Sequence, residues 1–164
     1  MLQPVKTRPA RAAGARFAIV ASRYNARYVD AMLRAARATL KAADPAALKI
    51  VRVPGAFEIP VVAARLARHA RPRFDAIICL GVILRGQTTH AEHIGTGVTH
   101  ALIQLQIETG VAMIHEILLL ENEDQARARC LDRDHNRGAE AAQTALAMAA
   151  VMRTLPPDRT HVPF

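Results

Sequence analysis

The sequence predicts an α/β fold: a three-layer sandwich in which a four-stranded parallel β-sheet has helices on both faces. Short apolar runs alternate along the chain with longer segments whose apolar residues recur at helical spacing. Each run is apolar at consecutive positions, which is typical of a parallel strand buried on both faces. Strands that alternate with helices form parallel sheets through right-handed crossovers. These observations together predict the sandwich.

Four apolar runs are the predicted strands. The first stops at the polar segment 22–25, and the second stops at Pro54-Gly55, where proline and glycine favour a turn. The third is the clearest continuous run, which predicts a strand buried on both faces. The predicted strands, in chain order, are 17–21, 48–53, 74–81 and 111–119.

Helical periodicity fills the segments between and after these strands. The first helix ends near Asp44, before a proline, and the second begins with Pro60 in its first turn, where a missing N–H costs nothing. The third has Ile94, Val98, Leu102 and Leu105 on one stripe. The helices after the first are predicted at 59–70, 91–109, 123–130 and 138–154.

Length and composition predict a single domain. The 164 residues are near the modal domain size, and 51% are apolar, but no apolar run approaches the ~18 residues of a membrane span. We therefore expect no membrane insertion. The boundaries are predicted as a disordered basic arm at 1–16, one domain at 17–155 and a C-terminal tail at 156–164.

Charge and cysteine content exclude several classes of function. Half of the net charge of +8 lies in segment 1–16, so the body of the chain is only mildly basic and no specific nucleic-acid binding is expected. The apolar stretch after this arm is too short for a secretory signal. Two cysteines, Cys79 and Cys130, are too few for a disulfide framework. We expect a protein of the reducing cytoplasm.

Ligands of parallel α/β sheets bind outside the carboxyl ends of the strands. Four predicted loops lie there: 22–25, 54–58, 82–90 and the stretch after Leu119. Each of the first three contains residue types with a plausible chemical role, and each also has an ordinary structural explanation. Function is therefore sought in these loops.

The third loop has the features of an anion site. Gly86 and its successors precede a helix, whose free N–H groups and positive end attract anions, and Thr88 and Thr89 add hydroxyl donors. His90 begins the helix beside them, and histidine is a side chain suited to general acid–base catalysis at physiological pH. The alternative is an ordinary N-cap by Thr88 or Thr89, with His90 as a surface residue.

A metal site is not expected. His90 and His93 lie three residues apart on one predicted helix and could supply two ligands, but no third ligand is evident. The pair His90 and Glu92 also matches half of a zinc deaminase signature, whose later pair of cysteines is missing here. We therefore predict no metal.

The first two loops carry groups suited to an organic ligand. Tyr24 could stack on a planar ring, and Glu58, beside Phe57, could accept hydrogen bonds from a polyol or a ring N–H. Alternatively, Tyr24 packs on the following helix, Phe57 covers the core edge and Glu58 favours a helix start. Four late arginines suit phosphate or form a solvated face: Arg127, Arg129, Arg133 and Arg137.

Taken together and in their order along the chain, the sequences of these loops resemble those of one family, the 6,7-dimethyl-8-ribityllumazine synthases of riboflavin biosynthesis. The ordered set is far more specific than any one of its parts. The matching segments, spread over 17–152, are Arg23–Asn25, Val53–Pro60, Phe74–Gly81, Arg85–His90, Glu121-Asn122 with Gln125-Ala126, and Asn136–Ala142.

The resemblance implies a fold, a reaction and partners. The fold would be flavodoxin-like, and the enzyme a transferase that condenses 5-amino-6-(D-ribitylamino)uracil with 3,4-dihydroxy-2-butanone 4-phosphate. No metal or redox cofactor is implied. The active site would lie between subunits of a homo-oligomer built on pentamers, and riboflavin synthase would be a further partner.

The resemblance also implies roles for individual residues. His90 would be the proton donor and shuttle, Tyr24 would stack on the pyrimidine, and Arg129 would bind phosphate. Arg137 stands where lysine is usual. The residues implied to bind the substrates are Tyr24, Ala56, Phe57, Glu58, Val82, Ile83, Leu84, Gln87, Thr88, His115, Arg129 and Arg137.

Several residues depart from the family pattern. His115 stands where a phenylalanine closes the pocket, and Glu116 stands where glycine is usual. Leu119, Leu120 and Gly97 are further departures. They keep open an alternative: a divergent flavin- or lumazine-binding or shell-forming paralogue with weak catalysis. A nucleic-acid binder that uses the basic arm is a second alternative.

Overall fold

A computed structural model describes residues 11–156 of the protein. The four strands are β1 (Arg16–Ser22), β2 (Ala47–Val53), β3 (Ala76–Leu84) and β4 (Ala112–Leu120). The helices are α1 (Ala26–Ala42), α2 (Ile59–His69), α3 (His90–Thr109), α4 (Glu123–Ala126) and α5 (Arg137–Thr154). A 3-10 turn (Ala56–Glu58) precedes α2, and a π-helical segment (Arg127–Leu131) follows α4.

The sheet is entirely parallel, in the order β2-β1-β3-β4. Alternate residues of β1 point to opposite faces, so Phe17 and Ile19 pack with α1 and α5, while Ala18 and Val20 pack with α2 and α3. Both faces are covered, and the predicted three-layer α/β sandwich is confirmed.

Helices α1 and α5 approach each other very closely at Gly138. A Cβ added to Gly138 would lie 2.0 Å from the carbonyl oxygen of Met32, so only glycine fits here. Asn136 caps α5 by accepting a hydrogen bond from the Gly138 N–H at 2.9 Å. These contacts fix the start of α5 and therefore the position of Arg137.

The third strand begins two residues later and ends three residues later than predicted. Val82, Ile83 and Leu84 belong to β3 and pair with the last three residues of β4, so the prediction that they belong to a loop is wrong. Gly81 does not end the strand, because its missing side chain accommodates Ile117, whose Cγ2 would be 3.2 Å from an added Cβ. The loop before α3 therefore starts at Arg85.

The predicted helix 123–130 is divided in two. Asn122 caps α4 by accepting a hydrogen bond from the Gln125 N–H at 2.9 Å. After Ala126 the backbone widens into the π-helical segment, which carries Arg129 and the buried Cys130 and ends at Leu131. Such bulges are often found at functional sites.

The predicted boundary of the basic arm at residue 16 is wrong. Ala15 is 1% exposed, and the Ala12 N–H donates to the Ala43 carbonyl at 2.8 Å. Arg16 pairs with Ala47 in the sheet. Within segment 11–16, Ala12 and Ala15 are buried, because their small side chains fit against the core beside the end of α1. The rest of the arm, 1–10, and the tail beyond Pro156 lie outside the described residues.

No helix in the stretch 11–156 is long and apolar enough to cross a membrane.

Candidate active site

The carboxyl ends of all four strands meet at one edge of the parallel sheet. We call the segments 22–25, 54–58 and 85–90 there the loop edge. Its first two segments are joined, because the Tyr24 N–H donates to the Pro54 carbonyl at 3.0 Å. Tyr24 therefore lies beside the turn that carries Phe57.

Two aromatic side chains are exposed on the loop edge. Tyr24 is 73% exposed and Phe57 is 67% exposed. The alternatives in which Tyr24 packs on the following helix and Phe57 covers the core do not agree with this exposure. Instead, Tyr28 is the tyrosine buried along α1, and its hydroxyl donates to Glu123 at 3.0 Å. The two exposed rings are free to contact a planar or polyhydroxylated ligand.

Glu58 has a structural role that leaves one oxygen available. Its Oε2 accepts a hydrogen bond from the Gly55 N–H at 2.8 Å and closes the 3-10 turn. A Cβ at Gly55 would lie 2.9 Å from the same oxygen, so glycine permits this close approach. Oε1 has no hydrogen-bond partner among residues 11–156. Ala56 is buried beneath the turn.

The loop before α3 presents unpaired backbone donors. Within the described part of the chain, the N–H groups of Gly86, Gln87 and Thr88 have no hydrogen-bond partner. Thr89 is the N-cap but makes no side-chain capping bond, and Thr88 accepts from the His90 N–H only at 3.4 Å. Capping by these threonines is therefore weak, and the donors remain available to an anion at the positive end of α3.

Arg85 fixes this loop, and sequence reasoning gave it no role. Its guanidinium contacts Glu92 at 2.7 Å and Glu121 at 2.8 Å, and its N–H donates to the Leu120 carbonyl at 2.8 Å. The hydrogen bond to Glu92 and the charge of Glu121 raise the pKa of Arg85 above its ordinary value. The acidic residues in the first turn of α3 and directly after β4 were the available signal.

Asn25 is a second missed residue. It adopts a left-handed backbone conformation, with φ of 55°, which asparagine tolerates better than most residues. Its side-chain amide donates to the Val82 carbonyl at 2.7 Å. This bond ties the first loop to the end of β3, below the loop edge.

His90 is exposed and begins α3 at the loop edge, where its predicted role requires it. The residues predicted to line the ring pocket are less accessible: Val82 and Ile83 are buried, and Leu84 is half-buried. In the described chain, Leu84 is therefore the most accessible of the three.

The remaining predicted residues are His115, Arg129 and Arg137. We group them with two acidic residues that were not predicted site residues, Glu116 and Glu140, and call this set the β4–α5 cluster. His115 lies in the middle of β4, where it pairs with Cys79 of β3. It is five residues, or about 16 Å along the strand, from the end of β4. Its Nε2 lies 3.0 Å from Thr99 Oγ1 on α3. Partial desolvation lowers the pKa of His115.

Charges in the β4–α5 cluster largely engage each other. Arg137 forms an ion pair with Glu140. Burial and the negative charge of Glu140 raise the pKa of Glu116 to about 7, against a smaller opposing effect of Arg137. Arg129 donates only to the Gln125 carbonyl, at 3.4 Å, and has no carboxylate partner among the described residues. Arg129 is therefore the cation of this cluster best able to bind an anion.

The described chain does not bring the two groups together. Among residues 11–156, no hydrogen bond or ion pair joins His115, Arg129 or Arg137 to the loop edge. In the same range, no group of three or more His, Cys, Asp or Glu side chains is placed to hold a metal ion.

The fold and the loop edge define a class: an α/β-sandwich protein with a ligand site at the carboxyl ends of a parallel sheet. A family model described as 6,7-dimethyl-8-ribityllumazine synthase matches residues 14–153. The chain therefore belongs to the 6,7-dimethyl-8-ribityllumazine synthase family, as its motifs predict.

Individual relatives agree with this family. The chain is 40% identical, over 144 residues, to the 6,7-dimethyl-8-ribityllumazine synthase of Xanthomonas oryzae pv. oryzae strain PXO99A; the match covers 87% of this chain and 92% of the relative. It has the same identity and coverage with the enzyme of that name from Stenotrophomonas maltophilia strain R551-3.

Proposed function

We propose that this chain is a transferase that condenses 5-amino-6-(D-ribitylamino)uracil with 3,4-dihydroxy-2-butanone 4-phosphate to 6,7-dimethyl-8-ribityllumazine. The observation that carries the proposal is the loop edge, where exposed aromatic rings, unpaired backbone donors and His90 lie at the carboxyl ends of the strands. These groups suit a planar pyrimidine, a phosphate and a proton transfer, respectively.

The substrates would be held by different parts of the loop edge. Tyr24 stacks on the pyrimidine, and Ala56, Phe57 and Glu58 contact this substrate and its ribityl chain, with Glu58 Oε1 as acceptor. Leu84 lines the ring pocket above the buried Val82 and Ile83. The unpaired N–H groups of Gln87 and Thr88 bind the phosphate, which the positive end of α3 also attracts.

The reaction needs proton transfers and no redox step. The amine nitrogen attacks the ketone carbon, and water leaves as the imine forms. The hydroxyl-bearing carbon then loses its proton as the C–O bond to phosphate breaks, and inorganic phosphate departs with the bonding electron pair. The enol that results takes up a proton at its terminal carbon and becomes a ketone. The second nitrogen attacks this new carbonyl, and a second water leaves as the ring closes. His90 donates and accepts protons in these steps, since an imidazole can act both as a general acid and as a general base.

We further propose that the site is completed between subunits of a homo-oligomer built on pentamers. Arg129 and Arg137 and the ring of His115 would then come from the neighbouring subunit, since the described chain keeps them apart from the loop edge. A cyclic arrangement lets every subunit both donate and receive these residues. The cytoplasm is the proposed compartment, because Cys79 and Cys130 are both free thiols, and riboflavin synthase is the proposed partner that consumes the product.

The function is tested by mixing the purified protein with both substrates and following the lumazine chromophore and released phosphate. We expect both products at equal rates, above the uncatalysed rate. Product formation no faster than in buffer would refute the enzyme proposal.

The subunit arrangement has a separate test. His90→Ala and Arg129→Ala subunits, each impaired alone, are unfolded, mixed in equal amounts and refolded together. If the site spans two subunits, random cyclic assembly restores up to about a quarter of wild-type sites. Activity equal to the mean of the two separately refolded variants would place both residues in the same subunit's site.

One observation favours a second candidate, a divergent flavin- or lumazine-binding paralogue with weak catalysis. His115 faces α3, where Thr99 holds it, and the carboxyl group of Glu116 faces α5 on the other side of the sheet. Saturable binding of the lumazine product, together with no turnover in the assay above, would support this candidate instead.

A further inference from the structure

A cavity lies at the opposite end of the sheet from the loop edge. It has a volume of about 400 Å³, within the range of small-molecule sites. Five of its lining residues are basic, namely Arg16, Lys49, Arg65, His69 and Arg71. Arg16 is the first residue of β1, so the cavity is at the amino ends of the strands, about 20 Å from the loop edge along β1.

The basic residues of this cavity lack acidic partners. None of its lining residues is acidic. The nearby Asp75 carboxylate already accepts hydrogen bonds from the Arg16 backbone N–H at 2.7 Å and from Arg153 at 3.3 Å. The side chains of Lys49 and Arg65 form no ion pair within the described range. The positive charge is thus not neutralised locally.

One nitrogen of a cationic group is also buried without a partner. The Nε atom of Arg16 is inaccessible to solvent and has no hydrogen-bond partner among the described residues. An unpaired buried donor on a charged group is costly. The described residues thus satisfy the Arg16 guanidinium incompletely, which adds to the uncompensated positive charge at this end of the sheet.

The end of α2 opposes anion binding, but only weakly. Its C-terminal carbonyls carry about half a negative charge. Arg71 already compensates this partial negative charge, because its guanidinium donates to the carbonyls of Arg68 and Ala70 at 3.0 and 2.8 Å. The charges of Arg16, Lys49 and Arg65 therefore remain for a ligand.

We propose that this cavity binds a small molecule that carries a phosphate group. Guanidinium and ammonium groups are suited to phosphate, and the fork of Arg65 can bind it through two hydrogen bonds. Leu48, Leu66 and Phe74 line the same cavity and provide an apolar surface for an uncharged part of the ligand.

Calorimetric titration with pyrophosphate, adenosine monophosphate and adenosine tests the proposal. The full chain with Arg129→Gln serves as the background, which weakens phosphate binding at the loop edge. A double substitution, Lys49→Gln with Arg65→Gln, is compared with Arg37→Gln with Lys41→Gln, which removes the same charge from an exposed face of α1.

The first double variant should lose about tenfold or more in affinity for the phosphate compounds, and the control should stay within about twofold. Binding should also weaken as salt rises. Equal affinities in the two double variants, or no saturable binding of either phosphate compound below about 1 mM, would overturn the proposal. Equal affinity for pyrophosphate and adenosine monophosphate would show that phosphate alone is recognised, and would refute the role of the apolar surface.

Discussion

The loop edge and the β4–α5 cluster differ in how their polar groups are engaged. At the loop edge, the exposed Tyr24 and Phe57 rings and the N–H groups before His90 have no internal partners. In the cluster, Arg137 is paired with Glu140. The first region is prepared for a ligand, whereas the second is largely satisfied by its own residues.

This difference separates two arginines that the sequence could not rank. Arg129 and Arg137 were both expected to bind substrate. Arg137 is held by Glu140, but Arg129 contacts only a backbone carbonyl at a long 3.4 Å. An anion would have to compete with a carboxylate at Arg137 and with no carboxylate at Arg129. We therefore assign phosphate binding chiefly to Arg129.

The largest expected effect comes from the loop edge. His90→Ala should lower kcat by about 10²-fold or more, because the substitution removes the imidazole that donates and accepts protons at the start of α3. Steady-state kinetics with both substrates measure this effect.

His100→Ala is the matched control for His90, since it removes an exposed histidine from the same helix. It should retain kcat within about twofold. Wild-type turnover in the His90 variant would return that residue to a structural role at the helix start.

The next effect tests the ranking of the arginines. Arg129→Gln should raise KM for the phosphate substrate by about tenfold or more, since a charged hydrogen bond contributes about 1.5–3 kcal/mol. Arg137→Gln should have a smaller effect on KM, because Glu140 already neutralises that guanidinium. Kinetics at varied concentrations of the phosphate substrate distinguish the two.

The control for these substitutions is Arg127→Gln, on the same π-helical segment, where Arg127 contacts Glu123 and Asp124 at the surface. It should leave KM unchanged within error. A larger KM effect for Arg137 than for Arg129 would contradict the assignment.

The fold could be predicted because its signals are local. Continuous apolar runs and helical periodicity determine which segments are strands and helices, and each of the four strands lies within three residues of its predicted bounds. The end of β3 was misjudged because Gly81 usually favours a break. Its position opposite Ile117 depends on how β4 pairs, which local pattern does not encode.

The candidate site was only partly predictable for the same reason. The residue types of the loop edge are suited to ligand binding on their own, so Tyr24, Phe57 and His90 could be singled out. Contacts between distant segments could not be foreseen, such as Arg85 with Glu121 or His115 with Thr99. Those contacts depend on the relative positions of elements.

The smallest expected effect concerns the half-buried carboxyl group of Glu116 in the β4–α5 cluster. Glu116 has a pKa of about 7 in the folded chain, against 4.5 for the free side chain. Between these values, the folded state binds a proton that the unfolded state has lost, so the free energy of unfolding falls as pH rises from about 4.5 to about 7. Above that pH, the buried charge remains a constant cost.

Glu116→Gln should remove this cost. We expect the variant to match the wild type near pH 4.5 and to exceed it by about 1–2 kcal/mol at pH 8, less than the full shift implies because the side chain is partly exposed. Urea unfolding at one fixed protein concentration measures the difference, since assembly also contributes to stability. Asp134→Asn, an exposed acid beside the cluster, should show no such pH-dependent gain. An equal difference between Glu116→Gln and wild type at both pH values would mean that Glu116 ionises normally. The charged groups of the β4–α5 cluster would then interact with one another less strongly than the structure indicates, which would weaken its contrast with the loop edge.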